Sequence, residues 1–332
     1  MNKDQKRVWI TWENQRRNRS LSAKSGFILH ELISNRSRLP RYALLSFKTL
    51  SVIRSTRPSV VICQNPSVVL VVVCALLKNV FRYKLIVDCH NSGLYPKEGK
   101  YTILNKVAVF VNSLADAVIV SNERLKKDFC RTLKKILVIP DPLPSLEHFY
   151  DKNPRTSSSD RPWRSDSRIK FLYVCSWAED EPFEEVLNAF CDISELNVSC
   201  YVTGNFKRNI TKNPNNEKII YTGFLSDTDY HDLIISCDAM IVLTKRNDCL
   251  TCGAYEALAE CKPGILSDTA IIRNTFGKGF LYSQPFKEDI LKNVLLLAEN
   301  VSIFYPKIME RKTEYEVSFH KNMMELEKTA SS

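Results

Sequence analysis

Short runs of aliphatic and β-branched residues, each followed by a stretch with helical spacing, recur along almost the whole chain, and this alternation restricts the fold more than any other feature. In the first half, Val8–Trp12, Val60–Gln64, Leu85–Cys89, Ala117–Ser121 and Ile136–Pro140 read as strands, and residues 16–34, 66–79, 101–114 and 123–131 as helices. Strands this apolar have no face to give to water. They predict parallel sheets covered on both sides by helices. A polar, Ser/Pro-rich segment, Asp151–Arg168, interrupts the pattern, which then restarts. Ile169–Cys175, Val198–Thr203, Lys218–Thr222, Ala239–Thr244 and Gly264–Ser267 read as strands, with helices over 183–193, 228–236, 252–261, 286–299 and 303–328. The expected class is α/β, with two doubly wound parallel-sheet domains facing a cleft. The expected divisions are an N-terminal domain over 1–150, a linker over 151–168, and a C-terminal domain over 169–302. A last helix over 303–332 is expected to pack back toward the N-terminal domain.

The charge is uneven. Residues 1–57 hold thirteen Lys/Arg against three acids, an excess of ten that equals the net charge of +10 for all 332 residues. The anionic partner of such a chain should therefore meet its N-terminal domain. Residues 36–57, RSRLPRYALLSFKTLSVIRSTR, interleave basic residues with Leu, Tyr, Phe and Ile, a pattern that suits an anionic membrane surface. No nucleic-acid-binding module is recognisable. The longest apolar run, from Val68 to Leu77, is far short of the roughly twenty residues a membrane helix needs.

Eleven cysteines are present. The N-terminus is charged and its apolar run is too short for a secretory leader, so a cytoplasmic, reducing location is expected. Cys63, Cys74, Cys175 and Cys237 lie inside apolar runs and read as small buried hydrophobes. Cys249 and Cys252 form one CxxC with no second pair to complete a zinc site.

The segment Thr244–Asp268 carries the most chemistry. It reads strand, loop, helix, loop, strand. Lys245, Arg246 and Asp248 fall in the loop, and a helix begins near Thr251, Cys252 and Gly253. The unpaired N–H groups and positive dipole end of that helix suit a phosphate, and Lys245 and Arg246 add cationic donors. Glu256, one turn into the helix, can accept from a ribose diol, while Asp248 can meet a second hydroxyl-rich group. The plain alternative is a solvated helix with two surface acids. In the N-terminal half, Glu13, Arg16 and Arg17 follow the first strand. Asp88, His90 and Asn91 end another. The arginines are candidates for anionic groups, and Asp88 or His90 for positioning or deprotonating a hydroxyl.

Asp248-x7-Glu256 and the run from Ala257 to Asp268 (ALAECKPGILSD) resemble the donor-site signature of GT-B glycosyltransferases of the family 4 type, E-x7-E followed by A-L-A-x-G-K-P-V-V-x-S-D. Asp248 stands for the first Glu and Cys261 for the Gly. The resemblance implies two Rossmann-like domains, with Asp248 near the donor sugar and Glu256 on the ribose. Tyr221–Ser226 resembles the T-G-x-L/V segment that edges the base pocket, which assigns Gly223 and Phe224 to the donor site. Val202–Asn205 resembles the strand-end V-x-G-x-G, which assigns Gly204. Ser176–Glu181 stands where the family places Arg and Lys for the diphosphate, and here has neither. Its wording, with Asp88–Asn91, is similar to dolichol-linked β-mannosyltransferases.

The resemblance implies transfer from a nucleotide-sugar donor to a lipid-linked glycan acceptor in cell-surface polysaccharide or glycolipid assembly, peripherally on the inner face of the membrane. No cofactor and no metal are expected, because the helix start and basic side chains can meet the diphosphate's charge. The alternatives are a non-catalytic nucleotide- or carbohydrate-binding partner and a sugar-nucleotide epimerase on the same fold. Asp227-Thr228-Asp229 spells a D-x-D metal motif, but following Ser226 it reads as the capped start of a helix.

Overall fold

The structure, a computed structural model, describes residues 6–89, 91–96, 100–145, 161–194, 196–206 and 216–332. The chain divides into two compact units, Met1–Pro142 with Val317–Ser332, and Leu143–Glu316.

The first unit holds β1 (Arg7–Thr11), α1 (Arg16–Ser25), β2 (Ile28–Glu31), α2 (Arg38–Thr56), β3 (Val60–Asn65), α3 (Val68–Phe81), β4 (Lys84–Cys89), α4 (Asn91–Leu94), α5 (Thr102–Ser113), β5 (Ala117–Val120), α6 (Glu123–Phe129) and β6 (Ile136–Val138). The six strands pair in parallel in the order β2-β1-β3-β4-β5-β6. Every residue of β3 is buried, as is every residue of β4 after Lys84, which accounts for their unbroken apolar character. The helix expected over 16–34 ends at Ser25. Gly26 takes the left-handed conformation (φ 68°) and closes it, and the chain continues as the short edge strand β2. Partial burial along β2 leaves it without a clean alternation, so its sequence does not mark it off from the helix before it. In α2, Leu45, Thr49 and Ile53 face the core. Trp12 donates to Thr49 Oγ1 at 3.0 Å and stacks on Tyr42.

The second unit holds α7 (Pro162–Ser165), β7 (Ile169–Tyr173), α8 (Phe183–Cys191), β8 (Val198–Thr203), β9 (Ile219–Gly223), α9 (Asp227–Ser236), β10 (Ala239–Val242), α10 (Cys252–Ala259), β11 (Gly264–Ser267), α11 (Ala270–Phe276), β12 (Phe280–Ser283) and most of α12 (Lys287–Ser331). Its parallel sheet runs β12-β11-β10-β7-β8-β9. The buried face of α8, Val186, Leu187, Ala189 and Phe190, covers one side of it, with Phe190 edge-on to Phe171. The linker expected through Arg168 ends earlier than that, since Arg161 already pairs with Asp229 and Asp232 on α9. The two helices expected over 286–299 and 303–328 meet at a break at Asn300, where the backbone leaves helical geometry (φ −126°), and Pro306 lies in the first turns of the second. From Val317 onward α12 belongs to the first unit, where Glu327 accepts from Arg7 and Thr329 O from Lys84.

Among the described residues no helix is long and apolar enough to cross a membrane.

Candidate functional site

In the second unit the strand order reverses between β7 and β10, with β8 and β9 on one side and β11 and β12 on the other. Loops leaving two adjacent strands in opposite directions open a crevice at their carboxyl ends, where doubly wound sheets bind ligands. The two loops here are 174–182 and 243–251. They are laced together: Lys245 N–H donates to Asp180 O at 2.6 Å, and Thr244 Oγ1 donates to Asp180 Oδ2 at 2.8 Å. Ser267, at the end of β11, accepts from Thr244 N–H at 2.7 Å and donates to Thr244 O at 3.0 Å. The Lys245–Asp248 stretch, exposed throughout, therefore stands on an anchored base.

Helix α10 starts at this point, with Thr251 at its N-cap. Thr251 Oγ1 is buried and makes no capping hydrogen bond, while Thr251 O accepts from Ala254 N–H at 3.2 Å. Gly253 sits against the strands. A Cβ there would come within 3.1 Å of Val242 and 3.2 Å of Val174, so the absence of a side chain lets the helix start approach the switch point. Lys245 and Arg246 are exposed beside it, with Lys245 Nζ 3.7 Å from Glu185. Glu256, one turn on, is only 7% exposed, and its Oε2 accepts from the Tyr230 hydroxyl at 2.7 Å.

The loops after β8 and β9 complete this end of the sheet. Gly204 (φ 84°) donates to Gly223 O at 3.0 Å. Trp177 Nε1 donates to Thr203 O at 2.9 Å, and its ring packs with Phe183, Phe206 and Tyr221. Phe224 projects outward, 89% exposed. In the loop after β7, which holds no Lys or Arg, the Glu181 carboxylate gathers the turn: it accepts from Ser176 N–H, Ser176 Oγ and Ala178 N–H at 2.9–3.1 Å. Asp227-Thr228-Asp229 opens α9 behind the Ser226 cap, whose Oγ accepts from Asp229 N–H at 3.1 Å. Burial pushes the Cys249 thiol above its ordinary range, while Cys252 is exposed. No group of three His, Cys, Asp or Glu among the described residues is placed to hold a metal ion.

The first unit corrects two expectations. Arg17, expected to meet an external anion, is buried. Its Nε and Nη2 donate to Asp88 at 3.0–3.3 Å, its Nη1 to Asp141 at 2.6 Å and its Nη2 also to Ile139 O at 2.8 Å. Burial alone would lower the Arg17 pKa, but the charges of Asp88 and Asp141 carry it above the ordinary arginine value. Asp88, expected to serve a hydroxyl, is 1% exposed and belongs to that ion pair. Arg16, by contrast, is exposed at the start of α1, and Asn91 is the first residue of α4. Glu13 accepts from Gln15, which also accepts from Gln64. Gln64 in turn accepts from Thr11 and Asn18. This amide network lies at the β1/β3 switch of the first sheet. His90 lies outside the described residues.

No protein-family model matches the sequence, and no curated protein matches it. Solved structures do. Anabaena HepE in complex with UDP superposes with a TM-score of 0.70 at 13% identity, covering 98% of this chain and 99% of that one. Sucrose-phosphate synthase from Thermosynechococcus elongatus gives 0.68 at 12%, covering 97% and 98%. WaaB, a lipopolysaccharide outer core galactosyltransferase, gives 0.59 at 11%, covering 96% and 99%. Two six-stranded parallel sheets in this order, matched end to end, decide the architecture.

The chain has the GT-B fold.

Within this GT-B chain, sequence reasoning found the loop and helix after β10 but missed Asp180, Glu181, Tyr230 and Ser267. Glu181 is one of three consecutive acids, Glu179, Asp180 and Glu181, and nothing in the sequence singles out the one that gathers the turn. Tyr230 sits 26 residues from Glu256 and left no signal.

Proposed function

We propose that this GT-B chain is a glycosyltransferase, with a nucleotide-sugar donor held by the second unit and the acceptor by the first. The observation that carries the reading is Glu256: a carboxylate 7% exposed, one turn inside a helix that starts at the β7/β10 switch point. A carboxylate accepts strongly from hydroxyl donors, and this one stands at the crevice where doubly wound sheets take their ligands. The two hydroxyls of a ribose diol are donors of that kind. The first-turn N–H groups of α10, with Lys245 and Arg246, meet the diphosphate. Asp248 meets the sugar, and Gly204, Gly223 and Phe224 border the base. The acceptor hydroxyl attacks the anomeric carbon and the nucleoside diphosphate leaves. With Asp88 committed to Arg17, the hydroxyl's proton goes to His90 or to the departing phosphate. HepE has been solved with UDP and with UDP-glucose, which supports a uridine diphosphate sugar as the first donor to try.

The acceptor in this reading is a lipid-linked glycan, reached from the inner face of the membrane. Residues 32–87 contain no Asp or Glu and nine Lys/Arg. On α2, Leu39 and Phe47 are 82% and 70% exposed, with Lys48, Arg54 and Arg57 exposed beside them in sequence. On α5, Ile103, Val107 and Phe110 form a second exposed apolar stripe. Apolar side chains among cations suit an anionic bilayer.

A second reading, a non-catalytic nucleotide or carbohydrate binder, draws on the loop 174–182, which holds Glu179, Asp180 and Glu181 and no Lys or Arg. Turnover separates the two. Incubation with each common nucleotide sugar and a polyprenyl-linked acceptor fraction should release nucleoside diphosphate. Binding of a donor with no release above the buffer rate would leave the binder.

A further inference from the structure

We infer that Tyr230 is a positioning residue for the donor's ribose, fixing the Glu256 carboxylate in the orientation that receives the diol; the inference rests on the donor-site reading above. Tyr230 lies one turn into α9, and its hydroxyl donates to Glu256 Oε2 at 2.7 Å from a different layer element. A glutamate has three rotatable bonds, and a diol is recognised well only by a carboxylate already turned toward it. Holding one oxygen from outside the helix removes that freedom before the ligand arrives. The holder is itself held. Ser226 caps α9 and accepts from Asp229 N–H, and Tyr230 N–H donates to Ser226 O at 2.8 Å. Arg161 pairs with Asp229 and, at 2.8 Å, with Asp232, while Trp163 Nε1 donates to Asp232 at 2.8 Å. The turns on both sides of Tyr230 are thus pinned to α7, so its hydroxyl has a fixed origin. This gives the polar segment around Arg161 a purpose in the site that its composition does not suggest.

A purely structural tyrosine would change affinity for every nucleotide alike. A positioning tyrosine changes only the part that depends on the ribose hydroxyls. The test therefore measures binding of UDP, GDP, ADP and CDP, each paired with its 2′,3′-dideoxy analogue, to the full chain and to Tyr230→Phe, Glu256→Ala and the double variant. In the wild type one base series binds, and its ribonucleotide binds at least about tenfold more tightly than the dideoxy form, the worth of one hydrogen bond to a charged group. Tyr230→Phe removes about three- to tenfold of that preference, leaves dideoxy affinity unchanged, and adds nothing on top of Glu256→Ala. Glu256→Asp, which withdraws the carboxylate by one methylene and keeps its charge, gives the same loss and covers the case in which Tyr230→Phe does not fold. Loss of the preference in Glu256→Ala but its full retention in Tyr230→Phe or Glu256→Asp overturns the role of Tyr230 while leaving the donor site standing. Retention of the preference in Glu256→Ala, or no binding of any nucleoside diphosphate to the wild type, overturns the donor-site reading and the role of Tyr230 with it.

Discussion

Arg17 donates from Nε and Nη2 to the carboxylate of Asp88, with the two side chains 6% and 1% exposed. Seventy-one residues separate them, and the pair ties the first helix to the end of the fourth strand. Removing one partner strands a buried charge. Arg17→Met or Asp88→Asn should each cost about 3–5 kcal/mol, and the double replacement clearly less than the sum. Urea denaturation followed by tryptophan fluorescence, to which Trp9 and Trp12 of the first unit contribute, measures this. Additive losses would show that the two charges do not depend on each other.

Gly204 and Gly223 both have positive φ, 84° and 70°, but different surroundings. A Cβ on Gly204 would lie 2.3 Å from Cys175 O, whereas one on Gly223 meets nothing within 4 Å. Gly223→Ala should therefore cost only the backbone strain, about 1–2 kcal/mol, and Gly204→Ala more than about 2 kcal/mol. Chemical denaturation of both variants ranks them. Equal costs would mean the loop after β8 yields without resistance.

Acid should loosen the second unit. Burial alone would raise the Asp232 carboxyl, but hydrogen bonds from Arg164, Trp163 and Arg161 hold it well below the ordinary value of 3.8. Asp166 is held down likewise by Arg168 and Tyr201 against its own burial. A carboxyl depressed in the folded state contributes stability that is present above the unfolded pKa and lost as pH falls through the folded one. The thermal midpoint of the wild type should exceed that of Asp232→Asn at neutral pH. The gap should shrink from about pH 4 downward. A gap unchanged down to about pH 2 would remove Asp232 from the acid response.

How much of this was legible in the sequence differs by residue. Val198–Thr203 and Gly264–Ser267 were read as strands at the bounds the structure gives, because buried parallel strands are apolar throughout. β2 was not, since an edge strand of four half-exposed residues has neither a buried run nor clean alternation. The α11–β12 pair was missed for a related reason: both are short and only partly buried. The loop and helix from Lys245 to Glu256 were legible because their chemistry is local in sequence. The fate of Arg17 and Asp88 was not. Either could have faced a ligand, and only the distance between them in space shows that they face each other.

Vesicle flotation tests the proposed membrane surface. The chain should float with vesicles containing phosphatidylserine and not with neutral ones, and added salt should release it. Lys48→Glu with Arg54→Glu should weaken binding by about tenfold or more, at about 1 kcal/mol for each cation. Flotation indifferent to lipid charge and salt would remove the membrane from the proposal.

Nucleotide binding at Glu256 decides most. Thermal midpoints of the wild type and Glu256→Ala are compared across the nucleoside diphosphates and their sugar conjugates. A ligand at about 100 times its Kd stabilises the folded state by about 2.7 kcal/mol, a shift of several degrees. The expected result is stabilisation of the wild type by one base series and little or none in Glu256→Ala, with the unliganded midpoints similar. Equal stabilisation of both proteins, or of neither by any nucleotide, would contradict a donor site built on α10.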